Sequence, residues 1–424
     1  QILKRFLKKW TMSENTRRLQ QFKSRGAMMS TSDRRRQKFL ERQKKSRRDL
    51  RHHVRMIAHN EKKKKPSSND REEHIKRDIA RRTEHAKRLM IHEWMIDIPC
   101  DLGGSNWYVI PRPEGQRCLV VASNGKTTSR LRNGSVLHKF QSSLPNGSKG
   151  TRGHPDVVCI LDCIFHAPTK TYFVLDMMCW KGHLLYDCAA EFRLFWLHTK
   201  LREETKVHEL SKNNKFLFQA VPVVDCDLKG LRASYAATVP FCRDGVLFVH
   251  KQGFYVRFSL SLSLLPHSTT HCPPPDRHQY YYMYMQTLGT SPLNIVWKDR
   301  SCSPYFIDTK PDGTPKSYQT INVRARKDFC LVTEDDVEIG KLDPKMVNMY
   351  QIQPNQILRF QISGMVKSAE SSTYHPAGLQ LVSKCGPSKV IADTWSKIIF
   401  QSLARSKPVT IDAIACVVQR NTIK

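Results

Sequence analysis

The sequence predicts an α+β protein in which a basic, helical N-terminal arm precedes a mostly antiparallel sheet domain. Three observations carry this. The charge is lopsided, with 30 Lys+Arg and 10 Asp+Glu in residues 1–90, a net +20 out of the chain's +32. No Gly or Pro interrupts residues 34–64, as a helix requires. Beyond Trp94, short β-rich runs alternate with turn signals and not with helices, which argues against a doubly wound parallel sheet.

The chain has 424 residues, 40% of them hydrophobic, enough for roughly two or three domains and a buried core. A wholly disordered basic tail is excluded. No run of about 18 apolar residues occurs, so no membrane-spanning helix is expected. Residues 1–11 are too short and too interrupted by charge for a secretory signal, and Met12 offers a plausible start, so they receive no functional weight. The 13 cysteines show no C-x-x-C pair and no Cys/His quartet, which reads as free thiols in a reducing compartment with no structural metal.

In order along the chain, Thr31, Ser32 and Asp33 are N-cap candidates for the arm helix, and Pro66-Ser67-Ser68-Asn69-Asp70 ends it. Between Arg34 and Arg55 the only acids are Glu41 and Asp49, and Phe39, Leu40, Leu50, Val54 and Ile57 are too sparse for a broad apolar stripe. The expectation is a helix that does not pack mainly on its own protein and folds on meeting an acidic surface; a solvated or RNA-binding helix is the plain alternative. A second helical segment runs from about Arg71 to Met90. Strands are expected at residues 107–110, 118–122, 157–165, 172–179 and 246–250, joined by hairpin-type turns at Pro113-Glu-Gly, Ser123-Asn-Gly and Arg132-Asn-Gly. Residues 256–286 are low-complexity and read as an insertion, not well ordered. Further on, strand-like alternation over 330–361, a Ser/Thr-rich linker at 368–374 and an amphipathic helix over 396–405 are expected.

Five segments fall in the order used by covalent nucleotidyltransferases. Arg112-Pro-Glu-Gly-Gln-Arg117 resembles their K-x-D-G-x-R motif, 160–165 and 173–176 their central strands, Asp244-Gly-Val-Leu-Phe248 their D-G strand, and Leu293-Asn-Ile-Val-Trp-Lys298 a late strand. Such enzymes need a lysine whose neutral amine attacks phosphorus. Here that position is Arg112, which stays protonated, so the expectation is a nucleotide binder and no enzyme.

His92-Glu-Trp-Met-Ile-Asp-Ile-Pro-Cys-Asp-Leu-Gly103 and Thr171-Tyr-Phe-Val-Leu-Asp-Met-Met-Cys-Trp-Lys-Gly-His183 are similar to long segments of the snurportin family, with 120–125, 142–147, 186–188 and 244–252 in register. The arm stretch Arg18 to Arg25, followed by Arg34-Arg35-Arg36, resembles that family's importin-β-binding segment. The resemblance implies a shuttling adaptor of cytoplasm and nucleus that binds the 2,2,7-trimethylguanosine cap of U snRNAs. Importin-β would be its partner on the arm, and an exportin a possible partner for recycling; no cofactor, metal or membrane is implied.

Carried across position by position, the resemblance implies cap contacts for Trp297 as stacking tryptophan, and for Trp94, Ile91, His92, Arg132, Arg117, Gln116, Gly115 and Arg112. His92 stands where the family has serine, and Arg132 where it has lysine. Importin contacts are implied for Arg18, Lys23, Arg25, Arg34, Arg35, Arg36, Lys44, Lys45, Arg47 and Arg48. A quaternised guanine suits an aromatic face, and its N2, stripped of donors, suits an apolar wall. Trp107, Trp180 and Trp196 read as core, as do Cys159 and Cys163; Asp162 and Asp176 read as scaffold acids, and His138, His183 and His198 as structural histidines.

The expected organisation is an arm over 1–66, a helical linker over 67–90, a cap-binding domain over 91–310 and a C-terminal extension of unassigned fold over 311–424. The alternatives are a general basic RNA-binding protein and an active covalent nucleotidyltransferase.

Overall fold

The computed structural model describes residues 30–45, 54, 71–154, 157–255, 290–303, 306–367, 374–386 and 389–422. The expected insertion at 256–286, most of the linker at 368–374, and Arg18, Lys23, Arg25, Arg47 and Arg48 lie outside the described residues.

Two helices, α1 (Thr31–Lys45) and α2 (Arg71–Ala86), precede the first strand. The cap of α1 is one residue earlier than expected: the Ser30 hydroxyl accepts the Asp33 N–H at 3.1 Å and donates to the Asp33 carboxylate at 2.8 Å.

One sheet combines β1 (Ile91–Trp94) and β2 (Trp107–Pro113) with later strands. A second sheet follows from β3 (Gln116–Ser123), β4 (Lys126–Leu131), β5 (Val136–Phe140), β6 (Cys159–His166), β7 (Thr171–Trp180), β8 (His183–Leu184) and β9 (Leu217–Ala220), with α3 (Ala190–Glu203) packed on it. Then come β10 (Val224–Asp225), α4 (Leu228–Ala236), β11 (Arg243–His250) and β12 (Thr290–Trp297), which complete the first sheet in the order β1-β12-β11-β2-β10. All its pairings are antiparallel except β1 on β12.

The Asn124-Gly125 turn, with φ of 55° and 74°, closes the β3–β4 hairpin as its dipeptide predicts. The turn at Glu114-Gly115 does something else. It carries the chain from one sheet to the other, so it is a crossing and not the expected hairpin. Gly115 has φ +139°, and a Cβ there would lie 2.3 Å from the Phe165 carbonyl oxygen, so only glycine fits.

The space between the sheets is the main core. Ile110, Leu247, Val249 and Val296 from the first sheet belong to one buried cluster with Ile164 and Phe173 from the second, and on β3 and β6 alternation separates the face with Arg117 and Asp162 from the face with Val120, Leu161 and Cys163. Alternation sends Trp107, Val109, Val246, Phe248, Ile295 and Trp297 to the opposite face of the first sheet, under the C-terminal helices.

After residue 318 the chain builds a separate antiparallel sheet from β13 (Gln319–Ala325), β14 (Cys330–Val332), β15 (Glu338–Lys341), β16 (Ile357–Ile362) and β19 (Gln380–Lys384), in the order β15-β14-β13-β16-β19. A short helix, α5 (Pro344–Met349), and the hairpin β17 (Gly364–Lys367) and β18 (Tyr374–Ala377) interrupt it. Helix α6 (Trp395–Ser406) buries Ile398 against this sheet and Phe400 against the first sheet; α7 (Ile411–Thr422) buries Ile414 and Val418 beside it. The extension is thus packed against the rest of the fold.

The arm departs most from expectation. Asp33, Arg36, Phe39 and Gln43, spaced three to four residues apart, form one buried face of α1. The Gln43 amide donates to the Gln252 carbonyl at 2.5 Å and accepts the Phe254 N–H at 3.0 Å, and Val54 joins a core cluster with Met90 and Tyr255. Arg35 pairs with Glu93 of β1. The sequence reading missed this because the face is built from paired polar groups, which no hydrophobic period reveals. Burying Phe39 contributes about 1.5–3 kcal/mol.

The two scaffold acids are each paired with an arginine. Arg193 of α3, 0% exposed in its side chain, makes two hydrogen bonds of 2.7 and 2.9 Å to Asp176. Replacing Asp176 by alanine leaves a buried guanidinium uncompensated and should cost about 3–5 kcal/mol in urea unfolding. The double change Asp176→Leu with Arg193→Met should recover most of that loss; equal destabilisation by both variants would show that packing, not charge compensation, holds α3.

Candidate anion cleft between the sheets

The charged side chains gather where β1, the end of β2, the start of β11 and the end of β12 face β3 and β6, a place we call the cleft. Arg112, two residues beyond Ile110 on β2, shares its inter-sheet face and pairs with Asp244 of β11. Lys298, just past β12, returns to that face, and its Nζ lies 2.6 Å from the other Asp244 oxygen; Ser303 also donates to it at 2.6 Å. Gly245 permits this closeness, since a Cβ there would sit 2.7 Å from the Trp297 carbonyl oxygen at φ +111°.

From the second sheet, Arg117 donates to both oxygens of Asp162, at 3.0 and 2.6 Å, and the Tyr255 hydroxyl donates to Asp162 at 2.8 Å. Tyr255 in turn accepts the Met90 N–H at 3.1 Å, which ties the start of β1 to the cleft floor.

His92, Arg112, Arg117 and Arg132 lie within electrostatic reach of one another. Burial and then these three arginines push the His92 imidazole well below its ordinary value, so it is neutral at pH 7. Burial weakens Arg112 and Arg132 slightly; for Arg117 the Asp162 carboxylate outweighs burial and the proton is held more firmly. Burial, then Arg112, lower Lys298 to about 8, and Asp244 only partly restores it. Asp244 stays below the usual carboxylate range because Arg112 and Lys298 outweigh its burial. Arg112, Arg117, Arg132 and Lys298 thus share the cleft with Asp162 and Asp244, with Glu334 and Asp393 also acting on Arg132, and the clustered cations suit an anion.

The expected site residues divide. His92, Arg112, Arg117 and Arg132 come together, with Ile91 buried beside them on β1 and Trp94 half-buried on the strand's cleft side. Gly115 and Gln116 are exposed at the crossing turn. Trp297 is corrected: it is 0% exposed, on the face away from the cleft, with its indole N–H donated to the Val409 carbonyl at 2.8 Å. Strand parity is the cause, since Val296 and Lys298 take the cleft face. Trp94 is the tryptophan left facing the cleft, with Phe400 of α6 against it at 5.1 Å between ring centroids.

Sequence reasoning missed Lys298, Asp244, Tyr255 and Phe400. For the first two the signal was present, in the lysine that closes the late strand motif and the aspartate that opens the D-G strand. Of the expected core residues, Trp107, Trp180, Cys159 and Cys163 are buried and Trp196 is half-buried on α3, with the exposed ring of His183 against it. His138 shares a 2.7 Å hydrogen bond with the Tyr172 hydroxyl. Of the arm residues expected to meet importin-β, Arg34 and Lys44 are exposed, whereas Arg35 and Arg36 are engaged within the protein.

Fold and side chains together define an α+β protein with a cluster of cations between two mostly antiparallel sheets. Residues 88–264 match the family model described as Snurportin1, m3G cap-binding domain, and that span is similar to it. Among solved structures it is similar to the ligase domain from M. tuberculosis LigD (11% identity, 72% of this chain and 98% of that chain, TM-score 0.29). It is also similar to Chlorella virus DNA ligase-adenylate (9% identity, 69% and 99%, TM-score 0.28). TM-scores this low assign no property to the cleft.

The lowered pKa of His92 fixes the sign of a pH effect. The unfolded chain binds a proton near pH 6.5 that the folded site refuses, so its contribution is fully present above that pH and lost as the pH falls below it. Wild-type stability should therefore fall faster than that of His92→Gln between pH 6.5 and 5, by up to about 1.4 kcal/mol per pH unit. Parallel urea-midpoint curves for the two proteins would show that His92 is not held neutral.

Proposed function

We propose that this protein is a nuclear import adaptor that binds the 2,2,7-trimethylguanosine cap of U snRNAs in the inter-sheet cleft, on a nucleotidyltransferase-like framework without catalysis. The observation that carries the reading is the group of His92, Arg112, Arg117 and Arg132 beside the half-buried Trp94, within the span that matches the cap-binding family model. Arginines answer the triphosphate bridge, and the indole face answers the cationic purine. Arg112 in place of a nucleophilic lysine supports binding without covalent transfer.

The reading is tested by titrating the full chain with trimethylguanosine and monomethylguanosine cap dinucleotides while following tryptophan fluorescence. Tighter binding of the trimethylated cap, lost in Trp94→Leu, is the expected result. Equal affinity for both, or binding that survives Trp94→Leu, would sink it.

The arm is proposed to bind importin-β, an acidic partner that attracts an Arg-rich helix over long range. For this, α1 must leave its site, because Arg35 is held by Glu93, and Arg36 by Asp33 at 2.6 Å with Asp97 at 3.8 Å. Glu93→Gln should therefore strengthen importin-β capture by the full chain. Changing Arg34, Arg35 and Arg36 to Glu should abolish it, and capture that survives this triple change would assign the arm another role. Shuttling between cytoplasm and nucleus, with an exportin for the return, belongs to the same proposal.

A further inference from the structure

The aromatic ring best placed for a base is already covered by a cation. Lys298 Nζ lies 5.6 Å from the centroid of the Trp94 ring, while Phe400 packs on the same indole. The backbone holds Trp94 in place, since its N–H donates to Ser396 Oγ of α6 at 3.1 Å. The lysine is not a stray surface cation: its side chain is 10% exposed, and Asp244, shared with Arg112, anchors it at 2.6 Å.

We propose that Lys298 is an internal stand-in for a positively charged purine: it lies on the cation-binding face of Trp94 and gives way to an N7-methylated guanine. The inference rests on the cap-binding reading above. A cationic purine that enters returns a positive charge to the indole face, and Lys298 keeps its bond to Asp244 as it withdraws. A neutral guanine displaces the ammonium and returns no charge, so it meets a penalty that the methylated base does not. Selectivity for the N7-methylated base thus comes partly from what the neutral base must evict, an unfavourable term built against the wrong ligand. The lysine is also poised to move. Burial and the neighbouring Arg112 disfavour its charge where it lies, beside Trp94.

Trp94, Arg112 and Asp244 lie within the span of the family match, whereas Lys298 follows it and Ser396 and Phe400 come from the C-terminal extension. The extension would then be part of the cap site, bracing the indole from α6.

The test measures dissociation constants of the full chain for unmethylated GpppG and for m7GpppG, in wild type and in Lys298→Met, Lys298→Gln and Lys298→Arg. Both neutral variants should bind GpppG more tightly than wild type, so that the preference for m7GpppG shrinks by roughly 2- to 30-fold. Lys298→Arg should keep the wild-type preference. Circular dichroism confirms the fold of each variant, and a second neutral variant covers the case in which the first does not fold. An unchanged preference in the neutral variants, or a shrinkage due only to weaker m7GpppG binding, would overturn the inference while leaving the cap reading intact. The trimethylated cap dinucleotide is titrated alongside: failure of the wild type to bind it would overturn both readings, and failure to bind m7GpppG alone would overturn the inference.

Discussion

Charge compensation across the inter-sheet cleft is the constraint on which the rest of the structure depends. Asp162 accepts from Arg117 and Tyr255, and Asp244 from Arg112, Lys298 and Ser303. A buried carboxylate with two or more donors is stable; a buried guanidinium without a carboxylate is not. Those pairings fix where β2, β3, β11 and β12 end relative to one another. Among the described residues, Arg132 has no such direct bond to a carboxylate, and Glu334 and Asp393 act on it only through space.

The same logic governs the arm. Its net charge of +20 over residues 1–90 marks it for an acidic partner, yet α1 lies on the fold through Asp33, Arg36, Phe39 and Gln43. Each charge buried there is matched, Arg36 by Asp33 and Arg35 by Glu93. Strand β1 therefore has an arm side, with Glu93, and a cleft side, with His92 and Trp94. Four residues serve both surfaces, and a change on either face is felt at the same backbone.

Much of the strand architecture was legible because it rests on short-range rules. Asn124-Gly125 dictates its hairpin, and the runs at 118–122, 172–179 and 246–250 are apolar enough to be strands buried on both faces. Parity was not legible: Trp297 and Lys298 are neighbours, and only the register of β12 decides which of them faces the cleft. The arm's packing was hidden because its inner face is polar, and the role of α6 was hidden because Phe400 meets Trp94 across about three hundred residues of chain. The Glu114-Gly115 turn has the composition of a hairpin, and only the approach to Phe165 shows that it passes between sheets.

Tyr255 and Thr290 give the start of β1 a double mooring. Tyr255 bonds Met90, and Thr290 pairs with Ile91, so two segments far apart from it in sequence hold adjacent residues of one short strand. The Tyr255 hydroxyl also donates to Asp162, so the position of β1 is tied to the second sheet as well as to the first. A four-residue edge strand with so few ladder bonds of its own thus takes its rigidity from its neighbours, and a disturbance at Tyr255 would reach His92 and Trp94 through the backbone.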